Sequence, residues 1–350
     1  MNIQSTIRYA SVIAMAICAL VWVSSPVWAQ DFLPGGRVLL DAHNCYPYQG
    51  KWADRIDRAL STGVPVAIEQ DLVWHEDPES GEFKSIVSHG SPFTGEEPTL
   101  DEYFFERIRP IVEKALKDGN DGSWPLVTLN IDYKNNSIAH VEAAEAVFKK
   151  YADWLCSAEK TDDPDKVMPL DVKPVLVLVG DGLNQEEVYA TQLPVGKRIL
   201  AFGAVQPNSL NDRDISRTQR QERDATIAPN LLVSKAATNY RRWWNNPWRI
   251  VEQGGQRRAG AWDERDAARL KALVDHAHKM GYWIRFYTLN GHDRHNDNGW
   301  STGYNFGSLK NAQLRWNAAL KAGVDFVATD MYEEFSKTQH AFSKKEGKKK

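Results

Sequence analysis

Cysteine is scarce in this sequence, with three in 350 residues. Cys18 lies in an N-terminal apolar segment, which leaves Cys45 and Cys156. Two cysteines are too few for a disulfide scaffold, so a hydrophobic core must hold the fold. Whether the two pair is open. An excess of either charge is also missing. Lys and Arg number 43 against 46 Asp and Glu, a formal net charge of −3. That balance gives no basic surplus for a polyanion, and no nucleic-acid partner is expected. Apolar runs are short after residue 23. The one extended run, SVIAMAICALVWV at 11–23, falls short of the ~20 residues that span a bilayer. It follows Arg8 and precedes SSPVWAQ, with Val27 and Ala29 at the −3 and −1 positions of a cut after Ala29. This is the pattern of a cleaved signal peptide over 1–29, and it implies a secreted or periplasmic protein.

What is present is alternation. Strand-like runs occur at 37–42, 65–71, 125–132, 173–180, 198–205, 230–235, 282–290 and 325–330. Helical patterns at 52–63, 100–119, 138–155, 263–281 and 309–323 fall between them. Several of these end in Gly, a helix stop, and Asp263 is placed to cap the fourth. The segment 181–197 is weakly helical. Eight strands alternating with helices predict a single-domain α/β protein, a (β/α)8 TIM barrel over 37–335. The lysine-rich tail within 336–350 reads as disordered and solvated, and a monomer is expected.

One strand is unusual. PVAIEQDLVW at 65–74 is apolar, yet Glu69 and Asp71 sit two residues apart and therefore on one face. Two buried carboxylates that close need a neutralising partner. In such a barrel chemistry lies at the C-terminal ends of the strands, and ionisable residues gather there. They are His43 and Asn44 after strand one, His89 after strand two, Asp132 and Lys134 after strand three, Lys235 after strand six, Tyr287 and Asn290 after strand seven, and Asp330 after strand eight. Glu69, Asp71 and Asp132, with the amide oxygen of Asn44, form a hard oxygen set suited to one divalent cation, Ca²⁺ or Mg²⁺. Two histidines suit a general base and a general acid. With Lys134 they fit attack on a phosphodiester, and Lys235, Tyr287 and Asn290 are expected to contact the substrate.

Read in order, AHN (42–44), IEQD (68–71), IVSHG (86–90), PTLDEYF (98–104), LNIDYK (129–134), FYTLN (286–290) and AGVDFVATDMYEEF (322–335) resemble the phospholipase-C-like phosphodiesterases, which include the glycerophosphodiester phosphodiesterases. The chain is most similar to a branch that reads His-Asn-x-Tyr, here His43, Asn44 and Tyr46, where most glycerophosphodiesterases read His-Arg-Gly. The resemblance implies that Glu69, Asp71, Asp132 and Asn44 hold the metal. It also implies His43 as base, His89 as acid, and Lys134 on a phosphoryl oxygen. The substrate would be a glycerophosphodiester or a phospholipid headgroup. The alternatives are a sphingomyelinase-D-like or phospholipase-C-like lyase that forms a cyclic phosphate, and a non-catalytic barrel binding phosphoinositol or sugar. A glycoside hydrolase fits less well, because its paired acids normally face each other from different strands.

Two further segments invite a reading. In 237–262, Trp243, Trp244 and Trp248 alternate with Arg241, Arg242 and Arg249. They are either a rim touching a membrane surface transiently or, as favoured here, a long segment that packs its own tryptophans. In GHDRHNDNGW (291–300), His292, Asp293, His295 and Asp297 read as a solvated loop rather than a second metal site.

Overall fold

The computed structural model describes residues 33–119, 125–208, 216–293 and 302–347. The signal-peptide segment, His295 and Asp297 lie outside the described residues. Eight parallel strands form the barrel: β1 Leu39–Ala42, β2 Val66–Glu76, β3 Val127–Tyr133, β4 Val175–Val179, β5 Phe202–Ala204, β6 Arg241–Pro247, β7 Trp283–Tyr287 and β8 Phe326–Thr329. Each pairs with its neighbours in sequence, and β8 returns to β1 with Leu39 opposite Phe326, so the sheet closes as expected. The two cysteines are buried as free thiols. Burial pushes the Cys156 thiol up to about 12, against the lowering effect of its backbone contact to Lys173.

The helices are α1 Arg55–Ser61, α2 Glu106–Lys117, α3 Ile138–Lys150, α4 Leu183–Glu186, α5 Arg217–Asp224, α6 Pro229–Leu232, α7 Glu264–Lys279, α8 Leu309–Ala322 and α9 Tyr332–Gly347. Asp263 caps α7 as expected, accepting from the Arg265 and Asp266 backbone amides. No described helix is long and apolar enough to cross a membrane. The tail departs from expectation. It is helical to Gly347, because Tyr332 and Phe335 anchor α9 on the barrel. Lys344 and Lys345 then fall in its last turn, where cations suit the helix dipole.

Strand six is also corrected. NLLVSK looked like a strand, but Pro229 opens the short helix α6, since Pro suits a first helical turn. The true strand is RRWWNNP, whose arginines and asparagines disguised it. Trp243, Trp244 and Trp248 are buried, with the Trp243 indole donating to the Val179 carbonyl at 2.9 Å. The Arg242 guanidinium is spent on the carbonyls of Asn239 and Met168 at 2.9 and 2.7 Å. These tryptophans and Arg242 are therefore core, and no membrane rim is built from them.

Candidate active site

The C-terminal mouth of the barrel is polar because alternate residues of its strands point inward. Glu69 and Asp71 share that inner face, and Asp132 stands opposite Asp71 in register across β2 and β3. The hairpin strand Phe83–Val87 pairs antiparallel with the outer half of β2, and the Ser88 amide donates to the Asp71 carbonyl at 3.1 Å. This fold-back carries His89 over the mouth. Asn44 adopts a left-handed conformation (φ 49°), which Asn tolerates well. The turn aims its amide at Glu69 Oε2, 2.9 Å away.

His43 is held from two sides. Its Nδ1 lies 3.1 Å from Asp330 Oδ1 and its Nε2 3.6 Å from Glu69 Oε2. Asp330 is in turn fixed by Arg55 at 3.1 Å and by the Asn290 amide. The Tyr332 hydroxyl donates to the His43 carbonyl at 2.7 Å. Burial alone would lower the His43 pKa, but Glu69 and Asp330 outweigh it and hold it above its ordinary value. Asp330 moves the other way. Burial would raise it, yet His43 and Arg55 keep it below the usual carboxylate range. His89 is more exposed, and partial burial together with the Lys134 charge lowers it.

The carboxylate pair has protein partners. Arg285, buried inside the barrel, bonds Glu69 Oε1 at 3.0 Å, Asp41, and Asn245 at 3.0 Å. Lys134 bridges Asp71 at 2.6 Å and Asp132 at 2.8 Å. The Tyr46 hydroxyl sits between Asp71 and Asn44 Oδ1, with one proton to give to either acceptor. Burial nevertheless pushes the Asp71 carboxyl up to about 7, and its Oδ1 is buried with no hydrogen-bond partner among the described residues.

Metal fit follows from these contacts. Among the described residues no three His, Cys, Asp or Glu side chains stand together as a ligand cluster, and Lys134 sits between Asp71 and Asp132. The donor chemistry does fit a hard cation. Asp71 and Asp132 already converge on one positive charge, and Asp71 Oδ1 is an orphaned buried oxygen beside it.

Several expected positions are resolved differently. Lys235 is not at the mouth. Its carbonyl accepts from Tyr282, which directly precedes β7, so it lies at the opposite end of the barrel, displaced with the misassigned strand. Asn290 is buried and binds Asp330 and Thr329, so it positions the acid rather than meeting substrate. Tyr287 does end β7 at the mouth, against the edge of Tyr304, whose ring also meets His43 at 6.2 Å. Arg285, Asp41 and Arg55 were missed. An Arg at a central position of an apolar strand, as in YWIRFY, was the available signal.

No protein-family profile matches the chain, and no curated protein matches it. Several solved structures are similar to it at low identity. One is a glycerophosphoryl diester phosphodiesterase from Parabacteroides distasonis, at 11% identity over 89% of this chain and 87% of that one, with a TM-score of 0.40. Another is a calcium-dependent phosphoinositol-specific phospholipase C from a Pseudomonas species, at 13% identity over 88% and 92%, with a TM-score of 0.44. A third, the Plasmodium falciparum HPPK-DHPS, is 10% identical over 89% of this chain and 48% of that one, with a TM-score of 0.41. Likeness this remote carries no functional argument, and the reading rests on the site.

Proposed function

We propose that this chain is a phosphoric diester phosphodiesterase, secreted or periplasmic, acting on glycerophosphodiesters or phospholipid headgroups. The observation that carries it is His43, clamped on Nδ1 by Asp330 with Nε2 beside Glu69, in a mouth where Lys134 and His89 also meet. A carboxylate on one imidazole nitrogen orients the ring and leaves the other to move a proton. On this reading His43 takes the proton of the attacking water or substrate hydroxyl. His89, on the hairpin side, gives one to the leaving alkoxide. Lys134 stabilises charge on the phosphoryl oxygens. Asp71 and Asp132, with Glu69 and Asn44, would hold a divalent cation that polarises the phosphoryl group when bound.

Phosphorus NMR of the protein with glycerophosphocholine, glycerophosphoinositol, phosphatidylinositol and sphingomyelin, each with Ca²⁺ or Mg²⁺, tests this directly. A new phosphomonoester signal is expected. A cyclic phosphate would mark a lyase instead. No product from any of the four would favour a non-catalytic binding barrel.

A further inference from the structure

Beside the catalytic mouth lies a separate cavity of about 690 Å³, bordered by Thr218, Pro247, Arg249, Arg257, Arg258 and Tyr304. Nothing in the proposed chemistry uses its three arginines. Arg249 meets Asp224 at 2.9 Å and Arg258 meets Glu222 at 3.4 Å. Arg257 is exposed and carries no hydrogen-bond or ion-pair partner among the described residues. Among the described residues that border the cavity are three guanidinium groups and no carboxylate.

The loop that carries them is anchored. Gly254 and Gly255 both have positive φ, 80° and 69°, and a Cβ on Gly254 would come within 2.8 Å of the Arg258 guanidine. The turn thus needs glycine to bring the loop back along the cavity rim. Gln256, buried, donates to the carbonyls of Tyr287 at 3.2 Å and Thr288 at 2.8 Å. That clamp ties the arginine loop to the end of β7, which bears Arg285 and Tyr287. The cavity also adjoins the site itself. Tyr304 lines it, and the same ring presents its edge to His43 and to Tyr287. One tyrosine ring separates the catalytic histidine from the arginine wall.

We propose that this cavity is the subsite for a second anionic group, a phosphomonoester or a carboxylate, on the alcohol side of the phosphodiester substrate. The assignment rests on the phosphodiesterase reading. Guanidinium groups bind such oxyanions through paired charge-assisted hydrogen bonds, a geometry that Lys does not provide. Substrates without the second anion would leave these arginines idle.

Two matched substrate pairs test the subsite and tell the anions apart. Glycerophosphoserine adds a carboxylate to glycerophosphoethanolamine, and glycerophosphoinositol 4-phosphate adds a phosphate to glycerophosphoinositol. In wild type the anion-bearing member of at least one pair should have kcat/KM higher by about tenfold or more, the scale of one charge-assisted hydrogen bond. Arg257→Ala should bring that ratio close to unity. Ratios near unity in wild type, or a ratio that survives Arg257→Ala, overturn the subsite. If no phosphodiester is turned over, the phosphodiesterase reading fails, and titration with inorganic phosphate in the Lys134→Ala background decides the subsite alone. Binding that Arg257→Glu removes upholds an anion site. Its absence, or its survival in Arg257→Glu, overturns it.

Discussion

His43 has its ring orientation set by residues from three distant parts of the chain: Asp330 after β8, Glu69 on β2, and Arg55 through Asp330. Losing a positioned proton-transfer group costs about 10²–10⁴ in rate, so His43→Ala should lower kcat by that order while the fold persists, as circular dichroism can verify. The roles of the two histidines separate by leaving group. A p-nitrophenyl phosphodiester needs no proton on departure, so His89→Ala should regain most of its activity on it and His43→Ala should not. Recovery of His43→Ala instead would make His43 the acid and His89 the base. Much of this was legible in the sequence, because Glu69 and Asp71 on an apolar strand have no use in a core. Arg285 was not. Its partner Asp41 is 244 residues away in sequence, and no local pattern reports such a pairing.

Strands and helices were readable where their periodicity was clean, and β6 shows where that failed. Seven expected strands fall on observed ones, since apolar runs bounded by turns are what buried parallel strands look like. RRWWNNP has no such pattern. Its polar groups are satisfied inside the barrel wall by Ala204, Met168, Asn239 and Arg285. Trp243→Ala should lose about 3–5 kcal/mol in urea unfolding, the usual cost of truncating a buried Trp. A loss within about 0.5 kcal/mol would place it on a surface loop. At the opposite end of the barrel, Asp325 ties three elements together. It accepts from the Gly35 amide at 2.6 Å, the Ile284 amide at 2.8 Å and His278 at 2.8 Å. Burial raises its pKa despite these bonds. The native state therefore holds this proton to higher pH than the unfolded chain, whose Asp titrates near ~3.9. The Asp325 contribution should be largest below that value and decline as pH rises through the raised folded pKa. Asp325→Asn should lack that decline in a series of unfolding curves across pH.

At the scale of the whole molecule, charge governs what can enter the site. The chain is close to neutral, at −3 over 350 residues, but the barrel mouth is not. Asp41, Glu69, Asp71, Asp132 and Asp330 gather there with Arg55, Lys134 and Arg285 as their permanent cations. With every one of these carboxylates ionised, a protonated His43 still leaves the acids in excess. An anionic phosphodiester entering such a mouth meets net repulsion unless more positive charge arrives first. Asp71 Oδ1, buried with no hydrogen-bond partner among the described residues, belongs to this cluster. Binding of a divalent cation to the folded state alone should raise the melting temperature, with about 2.7 kcal/mol of added stability at a hundredfold excess over Kd. Differential scanning fluorimetry with Ca²⁺ and with Mg²⁺ should show that rise in wild type, its reversal by EDTA, and its loss in Asp71→Asn. A protein that melts at one temperature with Ca²⁺, with Mg²⁺ and with EDTA, yet cleaves phosphodiesters, would mean that Lys134 and Arg285 supply the positive charge themselves.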